Sequence, residues 1–231
     1  MSENIKKITK AFKVDLDSRE NQNILKPSAR PFNNQSHQVD EVVKKIYELI
    51  EDAKHSNDDI ILNHNKIKKA FFSPFKPQLK SAQVFLSHSH ADKNKALKVK
   101  NYLGSKTNHR VFIDSLFWDY KDDVLNELEK YDNTSKIKDA FTLILRESLQ
   151  NMIEKCPYFV FLESKNSVSN QGLSCITYSA WIYEELKIAH SIRESRPTPM
   201  MESWQVFHDI SPFLESLETI TLKKLSHIIN S

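Results

Sequence analysis

Two short segments of this chain hold residues able to do chemistry, each in a setting that an ordinary core would avoid. Ser87-His-Ser-His-Ala-Asp92 puts hydroxyls, imidazoles and a carboxylate directly after the apolar run Ala82-Gln-Val-Phe-Leu-Ser87. Trp181-Ile-Tyr-Glu-Glu-Leu186 puts two carboxylates into an amphipathic helical pattern. At about 100° per residue from Trp181, the side chains of Ile182, Leu186, Ala189 and Ile192 fall in an arc from roughly 20° to 140°. Glu185 falls at about 40°, inside that arc, and Glu184 at about −60°, on its solvent edge. A carboxylate on the core side of a helix is costly unless it is paired or functional. Glu185 therefore pairs with a nearby arginine or loop amide, or it serves a site; periodicity leaves both open.

The remaining candidates are weaker when taken singly. His88 and His90 alternate along an extended segment, as two metal ligands can, but no third ligand is spaced near them, so no metal is expected. Ser87, His88 and Asp92 are too close in sequence to argue a hydrolase triad, which is recognised by geometry. Asp92 suits the amino-terminal cap of the following helix. Phe117 and Trp118, soon after Asp114, suit stacking on a flat ring or a contact in an assembly. Trp181 suits either helix core or the wall of a pocket.

The elements that must position these residues follow from hydrophobic spacing. Ala82–Ser87, Arg110–Asp114 and Tyr158–Leu162 are short, nearly continuous apolar runs, as expected of strands buried on both faces. Helical patterns follow from Asp92 to about Gly104, from Phe141 to Ile153, and from Ala180 to Arg193. Strand alternating with helix at these lengths implies βαβ units and a parallel sheet over 81–231. In such sheets ligands bind beyond the carboxyl ends of the strands, where the unusual polar residues of this chain collect. A long polar connection is expected after Asp114, with a short helix at Val124 to Leu128. A Ser/Asn-rich loop is expected over 164–174, a short edge strand at Trp204 to Phe207 and a closing helix from Leu217 to Ile229.

Upstream, 1–36 reads as a polar, loosely ordered arm. Val39 to Ala53 has the spacing of an amphipathic helix, whose stripe must be covered by the following domain or by a second chain. Ile60 to Phe72 suits a shorter helix, and Ser73-Pro-Phe-Lys-Pro77 a linker. Thus 37–80 forms a helical extension and linker.

Composition narrows the classes of function. The 231 residues carry a net charge of +3, too small to argue for nucleic-acid binding. Only two glycines occur, Gly104 and Gly172, so glycine-rich phosphate loops are absent. No stretch reaches the roughly 20 apolar residues of a membrane-spanning helix. Met1-Ser-Glu-Asn-Ile-Lys-Lys lacks the apolar run of a secretion signal. Cys156 and Cys175 form no CxxC spacing and no disulfide framework. A reduced, cytoplasmic protein with no membrane partner is expected.

In this order and at these spacings, the segments resemble a TIR (Toll/interleukin-1 receptor) domain of the bacterial stand-alone type. Val84-Phe-Leu-Ser-His-Ser-His-Ala-Asp-Lys93 resembles the first box of that family. Val111-Phe-Ile-Asp114 resembles its second strand and the start of its BB loop. Tyr158-Phe-Val-Phe-Leu162 and Ser179-Ala-Trp-Ile-Tyr-Glu-Glu-Leu186 resemble its third strand and its Ser-x-Trp-x-x-x-Glu-Leu signature. The likeness covers roughly 82–194. It departs at Phe117-Trp-Asp-Tyr120, where the family has a Pro-Gly pair, and over Lys121 to Ala140, which is longer than a minimal connection.

The resemblance implies a flavodoxin-like α/β fold, with helices on both faces of a parallel sheet. It implies cleavage of NAD at the nicotinamide–ribose bond, giving nicotinamide and ADP-ribose or a cyclic ADP-ribose-type product, with Glu185 as the catalytic carboxylate. NAD is then the substrate, and no separate cofactor is expected. Substrate-binding roles fall on His88, Ser89, Asp92, Asp114, Phe117, Trp118 and Trp181. Self-association through TIR domains, an effector or sensor protein partner, and a place in bacterial antiphage immunity are further implications. The alternative within the same fold is a non-catalytic interaction module, in which Glu185 is structural.

Overall fold

The computed structural model describes residues 10–26, 37–54, 63–73, 81–130, 135–171, 174–194 and 208–231. The chain divides into two compact units. The first gathers 1–28, 81–114 and 149–231; the second gathers 29–80 and 115–148.

A parallel sheet of five strands organises the first unit: β1 (Lys10–Asp15), β2 (Ala82–Ser87), β3 (Arg110–Ile113), β4 (Tyr158–Glu163) and β8 (Glu218–Thr219). The spatial order is β3-β2-β4-β1-β8, with every pairing parallel. The run β3-β2-β4 follows the 2-1-3 order common at the start of doubly wound sheets. β2 connects onward to β3 on one side, whereas β4 lies on the other, so the topological switch falls between β2 and β4. The strands are buried because their side chains are apolar on both faces: Val84, Phe85 and Leu86 on β2, and Phe159 through Leu162 on β4, are all fully buried. Phe85 joins three strands, with its ring centroid 5.5 Å from that of Phe112 and 5.8 Å from that of Phe159. Such aromatic contacts contribute beyond the area they bury.

The fourth position of the sheet corrects the expectation of a loosely ordered arm over 1–36. Lys10–Asp15 is an internal strand, in register with β4 from Lys10↔Tyr158 to Asp15↔Glu163 and paired on its far side with β8. The alternation Phe12, Val14, Leu16 supplies its buried side chains. Lys10, Lys13 and Asp15 interrupt that pattern and make the segment read as polar. Lys13 is accommodated by Glu163 of the neighbouring strand, 3.7 Å away. After β1, Ser18 caps α1 (Arg19–Ile24) by accepting from Asn21 N–H. Asn21 is buried and bonds in two directions: its Nδ2 donates to the Asp15 carbonyl at 2.7 Å, and its Oδ1 accepts from Leu222 N–H at 3.0 Å. The amino-terminal strand is thereby tied to the carboxyl-terminal helix α9 (Leu222–Asn230).

Helix α4 (Lys93–Lys106) carries the chain from β2 to β3 and buries Ala96, Leu97, Val99 and Leu103. It passes through Gly104, where the sequence suggested a stop. The region 164–174, expected as a loop, contributes β5 (Ser169–Gln171) and the start of β6 (Ser174–Thr177). With β7 (His208–Asp209) these form a small antiparallel sheet, followed by the short helix α8 (Ser211–Glu215). α7 (Ala180–Glu194) leads out of β6. The edge strand expected at Trp204 to Phe207 lies outside the described residues. The closing helix starts at Leu222 rather than Leu217, because Glu218 and Thr219 pair with β1.

The second unit is helical: α2 (His37–Lys54), α3 (His64–Phe71), α5 (Ser115–Leu128) and the first part of α6 (Ser135–Lys155). The stripe of α2, represented by Val42, Val43, Ile46 and Ile50, is buried where α2 packs on α3 and α5. Its cover therefore comes from this chain. The Phe71 ring sits 5.1 Å from that of Tyr120 and 5.0 Å from that of Phe141. The boundaries drawn from sequence change accordingly. Residues 115–148 group with 29–80 instead of continuing a domain over 81–231, and the connection expected after Asp114 is helix from Ser115 onward.

Candidate functional site

The sheet's switch point collects the polar residues at its carboxyl rim. Ser87 ends β2, with His88, Ser89 and Asp92 following; Asp114 follows β3; Ser164 and Asn166 follow β4; Asp17 follows β1. Ser87, His88, Ser89, Asp92, Asp114 and Ser164 are all buried, an unusual density of polar side chains for one place.

Glu185 enters this rim from α7. It is 1% exposed, and Ile182, Leu186 and Ala189 on the same arc are buried with it, as the helical spacing predicts. Glu184 lies at the solvent edge, 3.9 Å from Lys187. Of the two structural roles the spacing allowed for Glu185, pairing with an arginine is not what the rim provides. The Ser87 hydroxyl donates to Glu185 Oε2, and the next group against the carboxyl is the carboxyl of Asp114. Asp114 Oδ1 lies 3.3 Å from Nδ1 of His88. Ser87, Glu185, Asp114 and His88 thus form a chain of adjoining polar groups inside the first unit.

The charges of this chain are shifted for identifiable reasons. Burial raises the Glu185 carboxyl well above its ordinary range, the neighbouring charge of Asp114 and a hydrogen bond shared with it raise it further, and the Ser87 hydroxyl pulls it back in part. No N–H or hydroxyl donor reaches Glu185 Oε1 among the described residues. His88 is pushed below its ordinary value, chiefly by burial, which the charge of Asp114 opposes.

Asp92 does something other than cap a helix. Its side chain makes no cap hydrogen bond to α4. It accepts instead from Ser164 Oγ at 2.5 Å and from Asn166 Nδ2 at 3.0 Å, and Lys95 Nζ stands 3.3 Å from its Oδ1. Lys95 also donates to Asp17 Oδ1 at 3.0 Å, while Asp17 Oδ2 accepts from the backbone N–H of Lys165 at 3.0 Å. The loops after β1, β2 and β4 are stitched together around one buried carboxylate.

The other candidates fall as follows. Ser89 is buried and opens the single 3-10 turn His90–Asp92, without a side-chain cap bond. His90 is exposed. Trp181 is half-buried at the start of α7. Phe117 and Trp118 lie in the first turns of α5, in the other compact unit; their side chains lie outside the described residues. Sequence reasoning missed Asp17, Lys95, Ser164 and Asn166. The turn signal Asp15-Leu-Asp-Ser18 was the available pointer to Asp17. Among the described residues, no group of three or more His, Cys, Asp or Glu is arranged to hold a metal ion, and no helix is long and apolar enough to cross a membrane.

Set against family models, curated proteins and solved structures, the chain shows no match in any of the three comparisons.

Proposed function

We propose that this chain is a TIR-type NAD glycohydrolase or cyclase, with Glu185 as the carboxylate that stabilises the ribosyl cation. The observation that carries the reading is a glutamate buried on the inward face of α7, at the carboxyl rim of a parallel sheet, beside Ser87 and Asp114 and, among the described residues, without a basic partner in contact. A buried acid in that setting is expensive to maintain for stability alone. The likeness of the ordered boxes to TIR sequences supports the same assignment.

The chemistry needs one carboxylate. Nicotinamide leaves a cationic pyridinium as a neutral molecule, so no proton need be delivered to it, unlike ordinary glycoside hydrolysis. The oxocarbenium-like ribose is what needs stabilising. A carboxylate at about 4 Å and an effective dielectric near 20 attracts it by about 4 kcal/mol. The fraction gained only at the transition state accelerates reaction, about 1.4 kcal/mol for each factor of ten. Water attack then gives ADP-ribose, and attack by the adenine of the same molecule gives a cyclic product. The burial of Glu185 means the rim must open to admit ribose, a change that self-association between copies of the chain would bring about in this reading. A signal made for a partner effector, or NAD depletion during phage infection, is the corresponding cellular role.

The test is concentrated protein incubated with NAD, with products separated by chromatography, beside Glu185→Ala. Nicotinamide release that vanishes in the variant supports the reading; equal release from both removes Glu185 from the site. Unchanged NAD in a demonstrably self-associated sample favours the interaction module instead. The near-complete burial of Glu185 is the observation on that side.

A further inference from the structure

We infer that His88 is the base that takes a proton from the attacking water, with Asp114 orienting its ring, so that His88 decides how much product is ADP-ribose and how much is cyclic. This role rests on the proposed function and adds to it a second residue and a choice of nucleophile.

Ser87 ends β2 and donates to Glu185 Oε2, and His88 is the next residue. Consecutive α-carbons lie about 3.8 Å apart, so the backbone that carries the imidazole is held against the Glu185 carboxyl. Leu86 is in register with Ile113, which sets Asp114 beside Ser87 on the neighbouring strand. His88 is 4% exposed, and its Nδ1 faces Asp114 Oδ1 across 3.3 Å. Its Nε2 is buried with no hydrogen-bond partner among the described residues, and Glu185 Oε1 is in the same condition. Buried polar atoms are seldom left so. Two of them at one rim suit a polar ligand and the water that attacks it.

A carboxylate beside Nδ1 favours the N–H at that atom and leaves the lone pair on Nε2. Burial holds the imidazole below its ordinary value, against the charge of Asp114. The Leu86 carbonyl and Asp92 also favour the charged ring, and His90 opposes it. A neutral ring with a free Nε2 lone pair is equipped as a general base. Nicotinamide leaves with the electron pair of its bond to the ribose carbon. An O–H bond of water then breaks, its proton goes to Nε2, and the oxygen's electron pair forms the new bond to that carbon. Asp114 balances the imidazolium until its proton passes to solvent. Adenine attacks through the lone pair of a ring nitrogen that carries no proton, so ring closure needs no base.

The test measures products and tautomer on the full chain. With NAD, His88→Gln is expected to form ADP-ribose about 100-fold more slowly through kcat, with KM little changed, and to raise the cyclic share of the product. Added imidazole should restore ADP-ribose formation in His88→Ala. In protein labelled with 15N at histidine, the His88 signals are assigned by their loss in His88→Gln. They should show the proton on Nδ1 in the parent and a mixture of tautomers in Asp114→Asn. An unchanged product ratio in His88→Gln, or a proton on Nε2 in the parent, overturns the base role while nicotinamide release still upholds Glu185. A parent that gives only cyclic product overturns the base role as well. A self-associated parent that never releases nicotinamide overturns the proposed function and this role with it.

Discussion

Lys95 Nζ lies 3.0 Å from Asp17 Oδ1, joining helix α4 to the turn that leaves the amino-terminal strand. The same ammonium stands 3.3 Å from Asp92, so one cation serves carboxylates from two loops of the rim. The Asp17 carboxyl is held below its ordinary range, first by the Lys165 backbone N–H and then by Lys95. Lys95 is raised by its two carboxylate partners against a desolvation that acts the other way.

These shifts define a pH window for stability. Asp17, depressed when folded, contributes above the ordinary aspartate value and loses its contribution as pH falls through its lower folded value. Lys95, raised when folded, contributes below its ordinary value and loses its contribution as pH climbs through the raised one. Both groups are about a third exposed, so solvent screens the pair. Asp17→Asn is expected to cost about 1 kcal/mol near neutral pH, less at high salt and nothing in strong acid. Urea midpoints measured at several pH values check this.

Asp92 is the buried member of that cluster, and its partners predict a larger effect. Asp92→Ala leaves Ser164 Oγ and Asn166 Nδ2 without this acceptor and Lys95 with Asp17 alone, at a cost of about 2–4 kcal/mol for a charged, buried hydrogen-bonding group. Ser164→Ala removes one donor and is expected to cost about 1 kcal/mol. If nicotinamide release is the activity, Asp92→Ala should also reduce it, since the loops after β2 and β4 lose their shared anchor. Thermal unfolding and product assays on the two variants separate these effects.

The amino-terminal strand carries the next prediction. Val14 and Leu16 are fully buried, and β1 lies between β4 and β8. Val14→Asp would bury an unpaired charge, and removal of residues 1–16 would open the edge of β4. Either change is expected to abolish cooperative unfolding and leave the chain insoluble, as seen by circular dichroism and soluble yield. A well-folded protein without those residues would show that the strand is dispensable.

That strand also shows where the sequence was and was not legible. Ala82–Ser87 and Tyr158–Glu163 announce themselves because strands buried on both faces are continuous apolar runs. Lys10–Asp15 is equally internal but mixes two lysines and an aspartate with Phe12 and Val14, and its pairing partners, β4 with Glu163 and β8, lie far away in sequence. Glu185 was legible because one charge in an apolar arc is an anomaly that local geometry exposes. Asp114 as its neighbour was not, since 70 residues and a separate helical unit intervene and only the strand order brings the two together. Segment 115–123 was misjudged because its polar residues resemble a loop, whereas Tyr120 is buried in a helix that begins at Ser115 and runs on through the turns expected at Val124 to Leu128.

The last prediction sets stability against function at Glu185. Its carboxyl is raised when folded, so between the ordinary glutamate value and the raised one the folded protein binds more protons than the unfolded chain. Stability therefore falls as pH rises across that window, by up to about 1.4 kcal/mol per pH unit while the difference is a whole proton. Glu185→Gln keeps the shape, removes the titration and can still donate to Asp114. The variant should lose this pH dependence and unfold at a higher temperature than the parent at pH 8, with the gap closing towards pH 4. A gap of the same size at both pH values would mean that Glu185 is ionised in the folded protein, because a permanently charged group contributes no titration across that range. A gap that closes, together with loss of nicotinamide release, would mark Glu185 as a residue kept at the expense of stability.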